Sequence, residues 1–124
     1  MNKQSNKIIG VQGENQAEQY LKKQGYKILE KNYRYSRYAE IDIIAKDKDT
    51  IVFVEVKTRS GLNFGHPFEA INSTKLQNIL QAGLYYLKNT QEKYKKYRID
   101  IIGITKILDN QPCKIEHLKD VSLN

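Results

Sequence analysis

The amino-acid sequence predicts a single α/β domain, a mixed β-sheet flanked by helices in the order α-β-β-β-α-β-β. Three observations carry that prediction. The chain has 124 residues, the size of one domain, and 40% of them are apolar, enough for one core. Short apolar or alternating segments follow one another between residues 26 and 57. A longer stretch of helical periodicity then separates them from another apolar run at Arg98 to Thr105. No repeat, low-complexity tract or linker divides the chain. One domain over 1–124 is expected, with its core at about 13–105 and a short strand and tail over 106–124.

Gly13 to Gln24 reads as a helix, with Ala17, Tyr20 and Leu21 on one face and Gly25 placed to end it. Tyr26 to Tyr33 reads as a strand. Ala39 to Ala45 and Ile51 to Lys57 read as two more, joined by turn chemistry at Asp47-Lys48-Asp49-Thr50. A hairpin centred between Lys48 and Asp49 pairs residues whose numbers sum to 97. Asp42 then faces Glu55, and Glu40 faces Lys57. Alternation along a strand puts Glu40 and Asp42 on one side and Ile41 and Ile43 on the other. Ile51 to Lys57 is apolar on both faces, as an interior strand should be, with Glu55 and Lys57 at its C-terminal end. Thr58 to Phe68 carries Gly61, Gly65 and Pro67 and reads as a loop. Ser73 to Lys88 reads as a helix with an apolar stripe of Leu76, Ile79, Leu80, Leu84 and Leu87. Arg98 to Thr105 reads as a strand. Asn110-Gln111-Pro112 reads as a turn before a last short strand, Ile115 to Leu118.

Net charge is +7, and its placement is uneven. Residues 1–38 carry a balance of +5, residues 39–57 a balance of −2, and residues 58–124 a balance of +4. An acidic centre between basic flanks suits a metal site facing a phosphate backbone. A positive balance also serves simple solubility. Met1 to Gly10 lacks the apolar stretch of a signal peptide, and no apolar run is long enough to span a bilayer. The single cysteine, Cys113, forms no internal disulfide, so a cytoplasmic protein is expected.

The chemistry is expected where the hairpin brings acids together. Two carboxylates about 4 Å apart repel by about 4 kcal/mol at an effective dielectric of about 20. Lys57 supplies one compensating charge, and a hard divalent cation supplies more. Mg²⁺ or Mn²⁺ favours oxygen ligands, and Asp42, Glu55 and the main-chain carbonyl of Val56 provide such a set. The implied reaction is phosphodiester hydrolysis, with Lys57 orienting water or stabilising charge on phosphorus. The catalytic candidates are therefore Asp42, Glu55 and Lys57. Glu40 is either an outer acid of that site or a plain partner for Lys57.

The sequence also resembles a known family. The segments are Gly13-Glu14 with Ala17, Asn32-Tyr33-Arg34, Glu40-Ile41-Asp42, Phe53-Val54-Glu55-Val56-Lys57-Thr58-Arg59, Glu69-Ala70-Ile71, Lys75 and Arg98-Ile99-Asp100. Together they resemble the YraN-like family of uncharacterised bacterial proteins, over about residues 13 to 105. That family is similar to the Holliday-junction resolvases and restriction endonucleases of the PD-(D/E)xK superfamily. The resemblance implies a restriction-endonuclease-like three-layer core, a Mg²⁺-type site and nucleic acid, chiefly DNA, as partner. By resemblance Asp42 is the metal-binding aspartate, Glu55 and Lys57 are the Glu-x-Lys pair, and Glu14 completes the metal shell. Ala39 stands where the family usually has glycine. Two cuts in a branched substrate would suit a homodimer. The competing expectation is a non-catalytic nucleic-acid-binding protein that keeps the fold.

Candidate nucleic-acid contacts follow from charge and position. Arg59 lies just past the active strand, and Lys75 begins the long helix, where a helix N-terminus assists phosphate binding. Arg34 and Arg37 belong to a run, Tyr33-Arg34-Tyr35-Ser36-Arg37-Tyr38, that interleaves aromatic and basic groups. The same run also fits a strand and turn whose tyrosines pack at the edge of the core.

Overall fold

Helix α1 (Lys3–Lys23) begins well before the expected Gly13, because two glycines, Gly10 and Gly13, mask the helical pattern in this part of the sequence. It ends as expected at Gly25, which adopts φ 91°. The Gly25 N–H donates to the Lys22 carbonyl at 3.0 Å, and the Tyr26 N–H donates to the Leu21 carbonyl at 3.0 Å. These two bonds satisfy carbonyls that the helix end leaves open and turn the chain into the sheet. The computed structural model describes residues 3–60, 68, 71–106 and 113–122, with side chains from residue 10 onward. The expected loop with Gly61, Gly65 and Pro67, the Glu69-Ala70 pair and the turn at Asn110-Gln111-Pro112 lie outside the described residues.

Among the described residues five strands follow: β1 (Lys27–Arg34), β2 (Glu40–Asp47), β3 (Thr50–Ser60), β4 (Lys96–Lys106) and β5 (Lys114–Leu118), with α2 (Ser73–Asn89) between β3 and β4. The element order is that read from the sequence. They form one sheet in the order β1-β2-β3-β4-β5. Strands β1, β2 and β3 are antiparallel neighbours, β3 and β4 are parallel, and β4 and β5 are antiparallel. A parallel pair needs a crossover, and the segment carrying α2 provides it.

The hairpin turn is Lys48-Asp49, with Lys48 in the left-handed region at φ 57°. Its ladder runs from Asp47↔Thr50 to Ile43↔Val54, so paired numbers sum to 97 as expected. The ladder stops there, one step short of Asp42 and Glu55. On the other side, Tyr33↔Ile41 and Lys31↔Ile43 flank Asn32, which has φ 52°. The alternation of β2 therefore breaks at Asp42. Ile41 packs with the α2 core, whereas Ile43 packs with the α1 core. The expectation that Ile41 and Ile43 share a face is corrected: it assumed a regular strand, and this one is irregular at its first acid.

The sheet has a core on each face, giving three layers. Ile44, Ile51, Phe53, Ile99 and Ile101 meet Leu76, Ile79, Ala82 and Tyr86 of α2. Ile43, Val52, Val54, Val56, Ile102 and Ile104 meet Ala17 and Leu21 of α1. The buried stripe of α2 is Leu76, Ile79, Ala82, Gly83 and Tyr86. Leu84, expected in the stripe, is 45% exposed. Small residues carry the closest contact instead, since Gly83 lies directly on the Phe53 ring.

Candidate metal centre

The C-terminal half of β3 carries the acids and cations to one end of the sheet. Ile51 and Phe53 face α2, so strand alternation puts Glu55 and Lys57 on that side too. Helix α2 starts beside them. Its first turn is capped by Asn72, whose Oδ1 accepts from the Lys75 N–H at 2.9 Å. This fixes Lys75 over Glu55. The Lys75 ammonium lies 3.6 Å and the Lys57 ammonium 3.7 Å from the same oxygen, Glu55 Oε1. Glu55 is 3% exposed. Its other oxygen, Oε2, is buried and has no hydrogen-bond partner.

Asp42 enters from the break in β2. Its Oδ2 accepts from the Val56 N–H at 2.8 Å, taking the place of a main-chain acceptor where the ladder has ended. In a strand the N–H and C=O of one residue point to the same neighbour, so the Val56 carbonyl is directed to Asp42's side of β3. Glu14 arrives from α1, on the other face. Helix α1 can approach because Gly13 sits against Thr58, where a side chain would collide with the threonine hydroxyl. Glu14 and Asp42 are hydrogen-bonded to each other.

Three acids so placed cannot all ionise cheaply. Burial, then the charge of Asp42, pushes Glu55 up to about 7, against the pull of Lys75 and Lys57. Burial, then Asp42 and Glu40, pushes Glu14 up to about 7. Burial raises Asp42 as well, opposed by the Val56 N–H and by Lys75. Neutralising protons and a divalent cation are alternative solutions to the same repulsion.

The donor set fits a hard ion in kind: carboxylate oxygens of Asp42, Glu55 and Glu14, the Val56 carbonyl, and one orphaned buried oxygen. It is not a ready-made cage. Among the described residues no three His, Cys, Asp or Glu side chains stand in ligating geometry. Lys57 and Lys75 hold the positive charge at Glu55, so an ion bound there displaces at least one of them.

The remaining candidates divide. Glu40 does not pair with Lys57; its Oε2 accepts from Arg34 Nη2 at 3.1 Å, because the ladder that would have set it opposite Lys57 ends early. It still acts on the site by raising Asp42 and Glu14. Lys75 is occupied by Glu55 rather than standing free at the helix start. Arg59 is half-buried, with its Nε hydrogen unpartnered. Arg37 is exposed and lies over the Tyr38 ring at 5.6 Å.

One cluster escapes sequence reasoning. Asp100 on β4 is fully buried and accepts from Arg98 Nε at 3.0 Å and from the Asp120 N–H at 3.0 Å. It shares a hydrogen bond of 2.7 Å with His117, whose other ring nitrogen meets the Tyr20 hydroxyl at 3.0 Å. Arg98 also reaches Tyr26 and Asp47. An aspartate in the apolar strand Arg98–Thr105 was the available signal, since a buried acid needs partners. This network ties α1, β4 and β5 together on the face away from Glu55.

No helix among the described residues is long and apolar enough to cross a membrane. The chain is 42% identical over 113 residues to a UPF0102 protein of Syntrophomonas wolfei, covering 91% of this chain and 96% of that one. It is 42% identical over 122 residues to a UPF0102 protein of Acetivibrio thermocellus, covering 98% and 92%. It is 47% identical over 104 residues to one of Caldanaerobacter subterraneus, covering 84% of each chain. The profile of the uncharacterised protein family UPF0102 matches residues 13–104. The chain belongs to the UPF0102 family, the YraN-like proteins it resembles.

Proposed function

We propose that this protein is a metal-dependent endonuclease that hydrolyses phosphodiesters in DNA, with branched or structured DNA as the favoured substrate. The observation that carries the reading is the buried, unpartnered Glu55 Oε2 beside Asp42 and two ammonium groups in the C-terminal half of β3. Its likeness to the Glu-x-Lys nucleases supports the same assignment. Asp42, Glu55, Glu14 and the Val56 carbonyl would hold Mg²⁺ or Mn²⁺. The ion, when bound, polarises the phosphoryl oxygen and acidifies water. Lys57 positions the attacking water and meets the charge that builds on the scissile phosphate. In the metal-free protein Glu14 and Glu55 are raised to about 7, so binding of the ion would release their protons. Arg59, on the same strand two residues past Lys57, would contribute its guanidinium to a phosphate flanking the cut. A cytoplasmic location accompanies this reading, since Cys113 is a free thiol.

Incubating the protein with single-stranded, duplex and four-way-junction DNA in Mg²⁺ or Mn²⁺ tests the proposal. Cleavage should occur and should disappear in Asp42→Asn and Glu55→Gln while binding persists. A protein that cuts none of these substrates is not the nuclease proposed. A second reading, a non-catalytic nucleic-acid-binding protein, is favoured by the two lysines that already neutralise Glu55. Calorimetric titration with Mn²⁺ separates the two: heat that vanishes in Asp42→Asn supports the nuclease, and no heat in the native protein supports the binder.

A further inference from the structure

The turn between β1 and β2 is closed by main-chain bonds. The Tyr35 N–H donates to the Ala39 carbonyl at 2.9 Å, and the Ala39 N–H donates to the Ser36 carbonyl at 3.4 Å. Two aromatic residues of this turn are exposed. Tyr35 is 41% exposed and Tyr38 is 72% exposed. Tyr85, from the outer face of α2, meets Tyr35 at 4.7 Å between ring centroids, and it too is 45% exposed. Behind them Tyr33 and Tyr86 make an edge contact at 5.4 Å that anchors the ledge to the core. The interleaved run read from the sequence therefore leaves Tyr35 and Tyr38 partly exposed, with Arg37 over one side of Tyr38 and a partner ring for Tyr35 that comes from a distant helix.

Cations line the same ledge. Arg37 lies over Tyr38, and Arg34 holds Glu40 at its rim. Glu40 is two residues from Asp42, roughly 7 Å along the strand. The ledge thus begins where the acidic cluster ends. Exposed rings backed by cations beside a phosphodiester site match what unpaired nucleotides require, a π-face for each base and a positive charge for each phosphate. An intact duplex keeps its bases stacked on one another and has no use for such rings.

We propose that Tyr35, Tyr38 and Tyr85 form a stacking platform for unpaired bases next to the cleavage site, so that the preferred ligand is a strand with unpaired nucleotides. The placement rests on the nuclease reading, but the platform is tested by binding alone. The chain has nine tyrosines and no tryptophan, so the difference in tyrosine quenching between native protein and variants lacking a platform ring reports stacking on that ring. Fluorescence anisotropy with a labelled twelve-nucleotide oligothymidine and with a hairpin duplex, both in EDTA, gives the two affinities for the full-length protein. Tyr38→Ala and the double variant Tyr35→Ser with Tyr85→Ser should each weaken single-strand binding by about five-fold or more, the lower end of one base–ring stack. Duplex binding should change less than two-fold, and the tyrosine quenching that oligothymidine causes should shrink. Tyr35→Leu, which keeps apolar bulk but removes the aromatic face, should behave like the serine change. Equal loss for both ligands, or no loss, overturns the platform, as does a dimer in native protein that the same variants dissociate. If the native protein cuts nothing yet these variants lose single-strand affinity, the nuclease reading falls and the platform stands. If it cuts and neither cleavage nor single-strand binding depends on the tyrosines, the platform falls and the nuclease reading stands.

Discussion

Replacing Glu55 by Gln should stabilise the protein, and increasingly so as pH rises. Glu55 is 3% exposed, and its carboxyl is raised from 4.5 to about 7. Its raised value means that the native state holds a proton the unfolded chain has already lost. The sign follows directly: below pH 4.5 both states are protonated and Glu55 is neutral to stability. Between pH 4.5 and about 7 the unfolded state ionises first, so native stability falls with rising pH. Above about 7 the penalty is constant. A shift from 4.5 to about 7, at about 1.36 kcal/mol per pH unit, gives a full penalty of about 3 kcal/mol. Most of it develops between pH 5 and pH 8. Urea denaturation of native protein and Glu55→Gln at those two pH values measures it. The stability advantage of the variant should grow by roughly that amount. Adding Mn²⁺ at pH 8 should stabilise the native protein, by about 2.7 kcal/mol at a hundred times its dissociation constant, and leave the variant nearly unchanged. An advantage that is the same at both pH values would refute the account of buried repulsion, because only an ionisation difference varies with pH.

Other perturbations read other parts of the fold. Burial alone would raise Asp100, yet His117, the Asp120 N–H and Arg98 together hold it below its ordinary value. Its contribution is therefore present above the unfolded pKa of about 3.9 and is lost as pH falls through the lower folded value. Asp100→Asn should cost about 3 kcal/mol in urea denaturation at pH 7, since it leaves Arg98 without its buried partner. Gly83→Val puts a branched side chain onto the fully buried Phe53 ring and should cost about 2 kcal/mol, measured as a lowered thermal midpoint. Gly25→Ala forces an L-residue to φ 91° at the end of α1 and should cost about 1 kcal/mol by the same assay.

The elements that were legible are those where local chemistry and long-range packing agree. Asp47-Lys48-Asp49-Thr50 between two apolar runs fixed the hairpin to the residue, because a two-residue turn leaves one register. That register put Asp42 and Glu55 at the same end of neighbouring strands. What it missed was the way they meet. A period of two assumes a flat strand, and nothing in Glu40-Ile41-Asp42-Ile43 announces that Asp42 will spend its carboxylate on the Val56 N–H. The same break released Glu40 to Arg34. In the sequence Lys75 is a charge at a helix start; its contact with Glu55 depends on how the chain returns over the sheet, which periodicity cannot encode. Leu84 satisfied a helical count of apolar residues, but small Ala82 and Gly83 made the closer approach to Phe53, and the helix rolled to bury them.

The parallel alignment of β3 with β4 has a consequence during synthesis. One edge of Thr50–Ser60 pairs with β2 in the hairpin, but its other edge finds a partner only in Lys96–Lys106, beyond the whole of α2. While a ribosome is still adding those residues, the emerged helix and hairpin expose one bare edge of β3, rich in Ile51, Val52, Phe53 and Val54. Such an edge invites pairing with other nascent chains. Arrest of translation before β4 should leave a species that chaperones bind and proteases cut, and release of the finished chain should end both.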